Sequence, residues 1–258
     1  MHIHPTAIIS DQARLGTNVT IGAYTVIEAD TEIGADTEIR AHAVIKRFTT
    51  LGAANVVHEG AILGGEPQDL SFSDCESYLH IGSRNRIREG VTIHRAAKAG
   101  AATRLGDDCF LMAYAHIAHD CQLGNRVIIA NNVALAGHIE IEDQVFISGG
   151  VVIHQFCRVG RLAMIGGNAK IVQDCLPFVI TDGSPGRASG LNVVGLRRAG
   201  CTASDLQQLK AAYHTLLRSG LSLDAAIAQL EAQQHLLVAH LAHFARTAKR
   251  GFCHAEKQ

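Results

Sequence analysis

The sequence predicts a mainly β protein, a parallel β-helix of hexapeptide repeats that ends in a small α-helical domain. Three observations lead to this prediction. An aliphatic residue recurs at every sixth position through most of the chain, glycine is abundant while tryptophan is absent, and beyond residue 171 the six-residue pattern gives way to helical periodicity. We therefore expect residues 1–190 to form the β-helix and residues 191–258 to form the helical domain.

The six-residue frame begins at Ile3 and continues to Ile171. Of its 29 positions, 26 are Ile, Leu or Val, and the exceptions are Asp69, Cys75 and Ala99. An α-helix returns to one face every 3.6 residues and a flat strand every second residue, so a strict period of six requires a coil whose short strands each send one side chain inward. Three strands per turn give a three-sided solenoid of about nine coils.

Glycine often follows the inward position of a hexad. Because glycine has no side chain, it allows the tight turn that each corner of a three-sided coil requires. We expect corners at Gly16, Gly22, Gly34, Gly52, Gly64, Gly82, Gly106, Gly124, Gly160 and Gly166.

Two segments, residues 66–80 and 96–102, interrupt the hexads. Long excursions from a regular solenoid often carry function, although many are merely tolerated insertions. We expect a functional role for the first segment, and the sequence favours neither interpretation for the second.

The tail begins with a linker at Pro177 and residues 182–186, and its periodicity predicts three helices. The first ends at Gly220, the second has Ser222 as its N-cap, and the third runs near residues 235–250. Their apolar faces are expected to pack on the end of the solenoid. These faces comprise Leu206, Leu209, Tyr213, Leu216 and Leu217 in the first helix, Leu223, Ile227 and Leu230 in the second, and Leu237, Leu241, Phe244 and Ala248 in the third.

Composition limits the possible partners and compartments. The net charge of −1 argues against nucleic acid held by bulk electrostatics. The seven cysteines are odd in number and form no Cys-x-x-Cys motif, which favours a reducing compartment. Neither a secretory leader nor an apolar run of about 18 residues is present, so we expect a cytoplasmic protein without a transmembrane segment.

Four histidines, His116, His119, His138 and His154, lie close together in the repeat and off the aliphatic frame, so they should point outward or to a corner. Asp120 follows His119, and a carboxylate beside an imidazole is the equipment of a general base. A chance pair on the surface explains the two residues equally well. No Ser-His-Asp or Cys-His nucleophile motif stands out, which favours direct transfer over a covalent enzyme intermediate.

Several motifs along the chain resemble those of the UDP-N-acetylglucosamine O-acyltransferases, hexapeptide-repeat enzymes that begin lipid A synthesis. The motifs are HPTAI from His4, PQDL from Pro67, RNRIREGVTIHR from Arg84, MAYAHIAHDC from Met112, GNRVIIANNVALAGH from Gly124, VIHQFC from Val152, GLRRAG from Gly195 and RSGLSL from Arg218. The resemblance implies a left-handed coil, a homotrimer with active sites in clefts between subunits, and neither a cofactor nor a metal.

The resemblance also implies roles for individual residues. His119 is the general base for the sugar 3-hydroxyl, Asp120 orients it, and the Gly137 N–H holds the oxyanion formed from the 3-hydroxyacyl thioester of acyl carrier protein. The implied substrate contacts are His116, His138, His154 and Gln155, with Asp69 and Asn192 on the sugar nucleotide, Arg198 on its phosphate, and Gly167 limiting the acyl chain length.

The chain departs from the family pattern at three positions: Ser71 stands where the family has lysine, Val194 where it has glutamate, and Ala199 where it has arginine. A related acyltransferase with a different sugar-nucleotide acceptor therefore stays open. Basic residues of the tail either form a patch for the acidic carrier or are simply solvated. They are Arg197, Arg198, Lys249 and Arg250.

Three other classes compete with this interpretation. A γ-class carbonic anhydrase shares the architecture and binds zinc through histidines between subunits, and a non-catalytic hexapeptide protein would use the solenoid only for assembly. The amide-forming acyltransferase of the same pathway carries an extra N-terminal domain, for which hexads starting at Ile3 leave no room.

Overall fold

The structure is a computed structural model that describes residues 1–255, and its main body is a three-sided parallel β-helix. In chain order the strands are β1 (His2–Ile3), β2 (Ile8–Ile9), β3 (Arg14–Leu15), β4 (Thr20–Ile21), β5 (Val26–Ile27), β6 (Glu32–Ile33), β7 (Glu38–Ile39), β8 (Val44–Ile45), β9 (Thr49–Leu51), β10 (Val56–Val57), β11 (Ile62–Gly65), β12 (Tyr78–Ile81), β13 (Arg86–Ile87), β14 (Thr92–His94), β15 (Ala102–Leu105), β16 (Phe110–Leu111), β17 (His116–Ile117), β18 (Gln122–Leu123), β19 (Ile128–Ile129), β20 (Ala134–Leu135), β21 (Glu140–Ile141), β22 (Phe146–Ile147), β23 (Val152–Ile153), β24 (Arg158–Val159), β25 (Met164–Ile165), β26 (Lys170–Ile171), β27 (Val179–Asp182) and β28 (Arg187–Leu191).

Every third strand belongs to the same sheet. The first sheet runs from β1 through β25 in steps of three and then adds β27 and β28, the second runs from β2 to β26, and the third from β3 to β24. The pairs are parallel except the last one, β27 with β28. Ile3 pairs with Ile21, one coil of 18 residues later, as the hexad frame predicts.

The two predicted interruptions lengthen two coils without breaking the stack. Leu63 pairs with Ile93, and Ile93 with Ile117, so the extra residues loop out while the strands keep their register. The first loop is shorter than predicted and the second keeps its length but lies one residue earlier, because β12 and β15 begin before their frame residues and pair with each other from Tyr78 and Ala102 onward. We call residues 66–77 the first loop and residues 95–101 the second loop.

The frame residues fill the interior of the coil, as predicted. From Ile21 to Ile171 the aliphatic frame residues are almost completely buried, whereas Ile3 at the open end is 41% exposed. A second inward position lies two residues earlier in most hexads and holds mostly small or β-branched side chains, several of which bond to the coil backbone, as Thr25 does to the Arg40 carbonyl. Cys121 is one of these: its thiol donates to the Ala136 carbonyl, and burial raises its pKa to about 12, which leaves it protonated and unreactive.

Most of the glycines after frame residues lie at corners with ordinary φ values, so tight turning is not what requires them. The prediction is wrong for Gly64, which lies within β11 and has a left-handed φ of 82°. The left-handed residue of the corner comes two positions after the corner glycine and is usually not glycine, as at Asn18, where φ is 55°. A Cβ at Gly16 would lie 2.6 Å from the Ala35 nitrogen of the next coil. Close approach of stacked coils therefore explains this glycine.

Four helices follow the last strand: α1 (Val193–Arg198), α2 (Ala203–Arg218), α3 (Leu223–Glu231) and α4 (Leu236–Arg246). The three predicted helices correspond to α2, α3 and α4, and Ser222 caps α3 as predicted. The last helix ends earlier than predicted, and α1 was not predicted. None of the described helices is both long and apolar enough to cross a membrane.

The helices pack on the end of the β-helix, as predicted from their apolar faces. The prediction is wrong for Leu223, which is the first residue of α3 and is 42% exposed. A second core, separate from the interior of the coil, joins Leu162 and Phe178 of the last coil to Leu209, Ile227 and Leu241 of the helices. The C-terminal segment then returns to the β-helix, where Phe252 forms a parallel bridge with Asp174. Each end of the helical part is thus anchored to the solenoid.

Candidate active site

The predicted histidines collect along one corner of the β-helix, between the second and third sheets. His119 and Asp120 follow β17, and residues one and two coils later take the equivalent places. The coils are joined there by backbone hydrogen bonds from the His138 N–H to the His119 carbonyl and from the Phe156 N–H to the Gly137 carbonyl. We call residues 118–120, 136–138 and 154–156 the histidine corner.

His119 and Asp120 form a fixed pair. Nδ1 of His119 lies 2.8 Å from Oδ2 of Asp120, and the histidine is only 9% exposed. The same oxygen accepts the Ala97 N–H at 3.1 Å, and the Asp120 N–H donates to Oγ1 of Thr103 at 2.8 Å. A carboxylate that accepts from Nδ1 keeps the proton on that nitrogen, which leaves Nε2 as an acceptor.

Gly137 lies directly against the other side of this imidazole. A Cβ on Gly137 would lie 2.7 Å from Cε1 and 2.8 Å from Nε2 of His119. Its φ is not in the left-handed region, so glycine is required by space and not by conformation. Within residues 1–255 the Gly137 N–H has no acceptor, so the residue that packs against this imidazole has an unused backbone donor.

Two further imidazoles border the pair. The His138 ring is perpendicular to the His119 ring at a centroid distance of 5.1 Å and stacks on Phe156 at 4.7 Å. Nδ1 of His116 lies 2.7 Å from Oγ1 of Thr92, and burial lowers the pKa of His116, so its ring is neutral near neutral pH. His116 therefore offers a neutral ring close to the His119–Asp120 pair.

His94 is a site residue that the sequence prediction missed. It is 7% exposed, its ring meets His116 edge-on at 4.8 Å, and its Nδ1 has no partner in the described part of the chain. Burial, together with the neighbouring His116 and His119, lowers its pKa to about 4. One signal in the sequence could have found it. His94 directly follows the frame residue Ile93, at a position of the hexad where glycine is common.

Asp69, His154 and Gln155 lie at the surface near this corner. Asp69 projects from the first loop, and bonds from the Ser71 N–H and hydroxyl to Oδ1 lower the pKa of its carboxyl. Proximity to His119 and His138 contributes to the same lowering. His154 and Gln155 occupy the third coil of the corner and are exposed, with Nδ1 of His154 3.1 Å from the Gln155 carbonyl.

Asn192 and Arg198 lie on a different side of the prism. Asn192 is 9% exposed and caps α1: its Oδ1 accepts the Gly195 N–H at 3.0 Å, and its Nδ2 donates to the Leu162 carbonyl at 2.9 Å. The amide is thus engaged within the subunit. Arg198 lines a groove of about 460 Å³ on the first sheet; the other lining residues include Phe146, Met164, Val194 and Ala199.

Gly167 lies at the corner between the first and second sheets, after β25. A Cβ there would approach only the Gly149 carbonyl, at 3.6 Å, and the Ser148 side chain, at 3.9 Å. The fold therefore does not demand glycine at this position. A larger side chain would project outward along the surface of the second sheet.

His119, Asp120 and His138 are also close enough to be considered as metal ligands, since one ligand atom from each lies within 4.8 Å of the others. However, Oδ2 of Asp120 already accepts two N–H bonds, from His119 and from the second loop. That arrangement is typical of a carboxylate that orients an imidazole.

Comparisons with known proteins decide the family. A model of the family described as Udp N-acetylglucosamine O-acyltransferase, domain 2, matches residues 174–253, and a bacterial transferase hexapeptide model matches residues 12–47 and 102–137. A Synechocystis protein named acyl-[acyl-carrier-protein]--UDP-N-acetylglucosamine O-acyltransferase is 49% identical over 94% of this chain and 88% of its own length. The chain belongs to the UDP-N-acetylglucosamine O-acyltransferase family.

Solved structures of such acyltransferases share the fold over the whole chain. The one from Campylobacter jejuni is 40% identical with a TM-score of 0.94, covering 98% of this chain and 100% of that one. The one from Bacteroides fragilis is 37% identical with a TM-score of 0.95, covering 97% and 99%. The coil is therefore the left-handed β-helix of this family, as predicted.

Proposed function

We propose that this chain transfers a 3-hydroxyacyl group from acyl carrier protein to the 3-hydroxyl of UDP-N-acetylglucosamine, the first step of lipid A synthesis. The observation that carries the proposal is the arrangement of three groups: His119 held by Asp120 at 2.8 Å, and Gly137 packed against the imidazole with an N–H that has no acceptor among the described residues. A base, its orienting carboxylate and an adjacent backbone donor are what acyl transfer from a thioester requires.

In this reaction Nε2 of His119 accepts the proton of the sugar hydroxyl as that oxygen attacks the thioester carbonyl. The new C–O bond forms, the Gly137 N–H donates to the developing oxyanion, and Asp120 stabilises the charged imidazole. When the C–S bond breaks, His119 returns the proton to the leaving sulfur. Catalysis needs no covalent enzyme intermediate, and Cys121 is buried and protonated.

Substrate would be held by the residues around the base. His116, His138, His154 and Gln155 border one side of the corner, and Asp69 approaches from the first loop. Gly167 would limit the length of the acyl group. The fold leaves room for a side chain at this position, and a larger side chain would occupy surface that the acyl group needs. We expect Gly167→Met to stay folded and to prefer shorter acyl groups, which competition between acyl carrier thioesters would measure.

We also propose a homotrimer whose subunits share each site. The histidine corner and the Arg198 groove lie on opposite sides of one prism, so a single chain cannot bring them together. Outward residues of the second sheet are mostly apolar, whereas those of the third sheet are mostly charged or polar. Packing the second sheet of one subunit on the first sheet of the next would bury the apolar faces and close a ring.

Subunit mixing tests the shared site. His119→Ala and Arg198→Ala each damage one side of the cleft, so trimers co-assembled from the two variants should regain about a quarter to a third of wild-type activity. Mixed trimers that stay inactive, or a monomer by analytical ultracentrifugation, would contradict the arrangement.

We further propose a cytoplasmic location for this protein. All seven cysteines are unpaired, which is typical of proteins in a reducing compartment.

A second acceptor class is favoured by one observation. Val194 and Ala199 make the groove beside Arg198 largely apolar, and Ser71 bonds to Asp69 instead of offering a cation. An acyltransferase of the same family that uses another sugar nucleotide fits these residues.

Mass spectrometry of the products separates the two. We would incubate the protein with UDP-N-acetylglucosamine and (R)-3-hydroxymyristoyl acyl carrier protein, beside a His119→Ala control. Acylated UDP-N-acetylglucosamine from the wild type alone supports the proposal. An intact thioester with this acceptor, but turnover with another amino- or hydroxy-sugar nucleotide, would support the second acceptor class instead.

A further inference from the structure

Arg95 is a large charged side chain that is buried to 1% exposure between the first and second loops. One guanidinium nitrogen donates to the Cys75 carbonyl and to Oγ of Ser77 at 2.9 Å, and the other donates to Asp74 at 2.8 Å. The group also lies over the Phe72 ring at 5.2 Å. A buried guanidinium is costly unless such bonds satisfy it, so this one fixes the C-terminal half of the first loop.

A short chain of bonds leads from this guanidinium to the base. Oγ of Ser77 donates to the Ala96 carbonyl at 2.5 Å, which fixes the start of the second loop. The next residue, Ala97, donates its N–H to Oδ2 of Asp120 at 3.1 Å, and that oxygen lies 2.8 Å from Nδ1 of His119. The position of the catalytic carboxylate thus depends on where the second loop lies.

The same guanidinium also holds the loop that approaches the base from outside. The first loop carries Asp69, whose carboxyl lies within the field of His119 and His138. Its other end is anchored near Glu66, whose Oε1 lies 3.9 Å from Arg95. The buried guanidinium of Arg95 therefore sets the position of the first loop and also the position of the Asp120 carboxylate, which orients His119.

We propose that Arg95 is a positioning residue for acyl transfer: through Ser77 and the Ala97 N–H it holds Asp120 against His119, and through Asp74 it holds the loop that carries Asp69. Arg95 itself does not touch the reacting atoms. Its kinetic consequence rests on the function proposed above, whereas its consequence for the His119 ring does not.

Kinetics of Arg95→Met provide the first test, with Arg47→Met as a matched control. Arg47 pairs with the same Asp74 and lies over the Phe48 ring at 5.3 Å, but among the described residues it makes no bond to Ser77 or to the second loop. We expect Arg95→Met to lower kcat at least about tenfold and Arg47→Met to lower it less than about twofold.

A double variant separates positioning from general damage. If Arg95 acts through Asp120, then in an Asp120→Asn background Arg95→Met should lower kcat by less than about twofold, while KM for the sugar nucleotide still rises through the loosened first loop. Additive losses in kcat would contradict the route through Asp120. Arg95→Lys keeps the positive charge but loses the planar guanidinium that donates to several groups at once. Compared with Arg95→Met, it should restore only part of the wild-type kcat.

The decisive readout needs no turnover. In protein labelled with ¹⁵N in the histidine rings, the Nδ1–H of His119 should give a low-field resonance that His119→Gln assigns and Asp120→Asn removes. Arg95→Met, or the milder Ser77→Ala if Arg95→Met fails to fold, should weaken or remove it, while Arg47→Met leaves it unchanged. An unchanged resonance in both Arg95→Met and Ser77→Ala would overturn the proposal. If the wild type forms no product but the variants change the His119 resonance as expected, the proposed function would be overturned and the positioning role of Arg95 would stand.

Discussion

Two histidine–carboxylate pairs with the same contact distance lie in two regions of this molecule. In the histidine corner, Nδ1 of His119 is 2.8 Å from Oδ2 of Asp120. At the helical end, Nε2 of His240 in α4 is 2.8 Å from Oε2 of Glu142 on the β-helix. The first pair joins adjacent residues of one corner, and the second joins residues 98 positions apart.

The surroundings of the two pairs differ more than the contacts do. His119 has a backbone donor, Gly137, against its second nitrogen and another imidazole beside it. His240 instead packs edge-on against Phe178, and Glu142 also accepts the Arg161 N–H, so that pair ties a helix to the solenoid. The contact distance is the same in both pairs, so it does not by itself indicate a general base. The proposal for His119 depends instead on its surroundings, where Gly137 packs against the ring and has an unused N–H.

Removing each carboxylate's charge should separate the two pairs most strongly. Asp120→Asn no longer favours the proton on Nδ1 of His119, so we expect kcat to fall about a hundredfold. Glu142→Gln should change kcat less than about twofold. Initial rates with saturating substrates measure both, and equal losses in the two variants would show that the corner has no special role.

Filling the space beneath the imidazole should affect only the corner. Gly137→Ala places a methyl group within 3 Å of the His119 ring, which must move, and we expect kcat to fall about tenfold to a hundredfold with little change in Tm. Gly190→Ala is the matched control, because its Cβ would meet nothing within 4 Å. A Gly137→Ala enzyme with wild-type kcat would mean that the position of His119 over this glycine is irrelevant.

Acid should destabilise the corner before the helical end. The pKa of His94 falls from 6.5 to about 4 on folding, so the unfolded chain binds more protons between those values. Stability is therefore lost as pH falls from about 6.5 to 4, by about 3 kcal/mol. His94→Gln should flatten the dependence of the unfolding free energy on pH in this window. An unchanged slope would contradict the buried, neutral state of His94.

The helical end should respond at lower pH. Burial raises the pKa of Glu142, but the bonds from His240 and the Arg161 N–H outweigh it and leave the pKa below the usual 4.5. The pair therefore contributes stability above about pH 4.5 that is lost as pH falls through the lower folded value, by about 1 kcal/mol or less because the pair is partly exposed. The unfolding free energy of Glu142→Gln, measured with urea at pH 3 to 6, should not show this loss. If the variant shows the same pH dependence as the wild type, the Glu142–His240 pair is not its cause.

The β-helix was predictable because its core repeats. Each coil buries the same kind of residue, as at Ile21 and Ile93, so periodicity alone fixes strand positions and the three-sided shape. The short helix α1 was missed because six residues carry too little periodicity, and its start depends on the Asn192 cap. The domain boundary near residue 190 stays a prediction.

The proximity of candidate site residues could be predicted from the sequence only where they are neighbours or stand one coil apart, and their roles were implied by the family resemblance alone. His119 and Asp120 stand side by side, and the 18-residue coil brings Gly137 beneath them. By contrast, the roles of His94 and Arg95 depend on how the two loops fold against the corner. Such contacts between non-repeating segments leave no pattern in a single sequence.

Single-turnover measurement of His119→Ala and His240→Ala tests the central claim most directly. With enzyme in excess over (R)-3-hydroxymyristoyl acyl carrier protein and saturating UDP-N-acetylglucosamine, ester formation should slow at least about a hundredfold in His119→Ala and less than about twofold in His240→Ala. A His119→Ala rate within about twofold of the wild type would contradict the assignment of His119 as the general base.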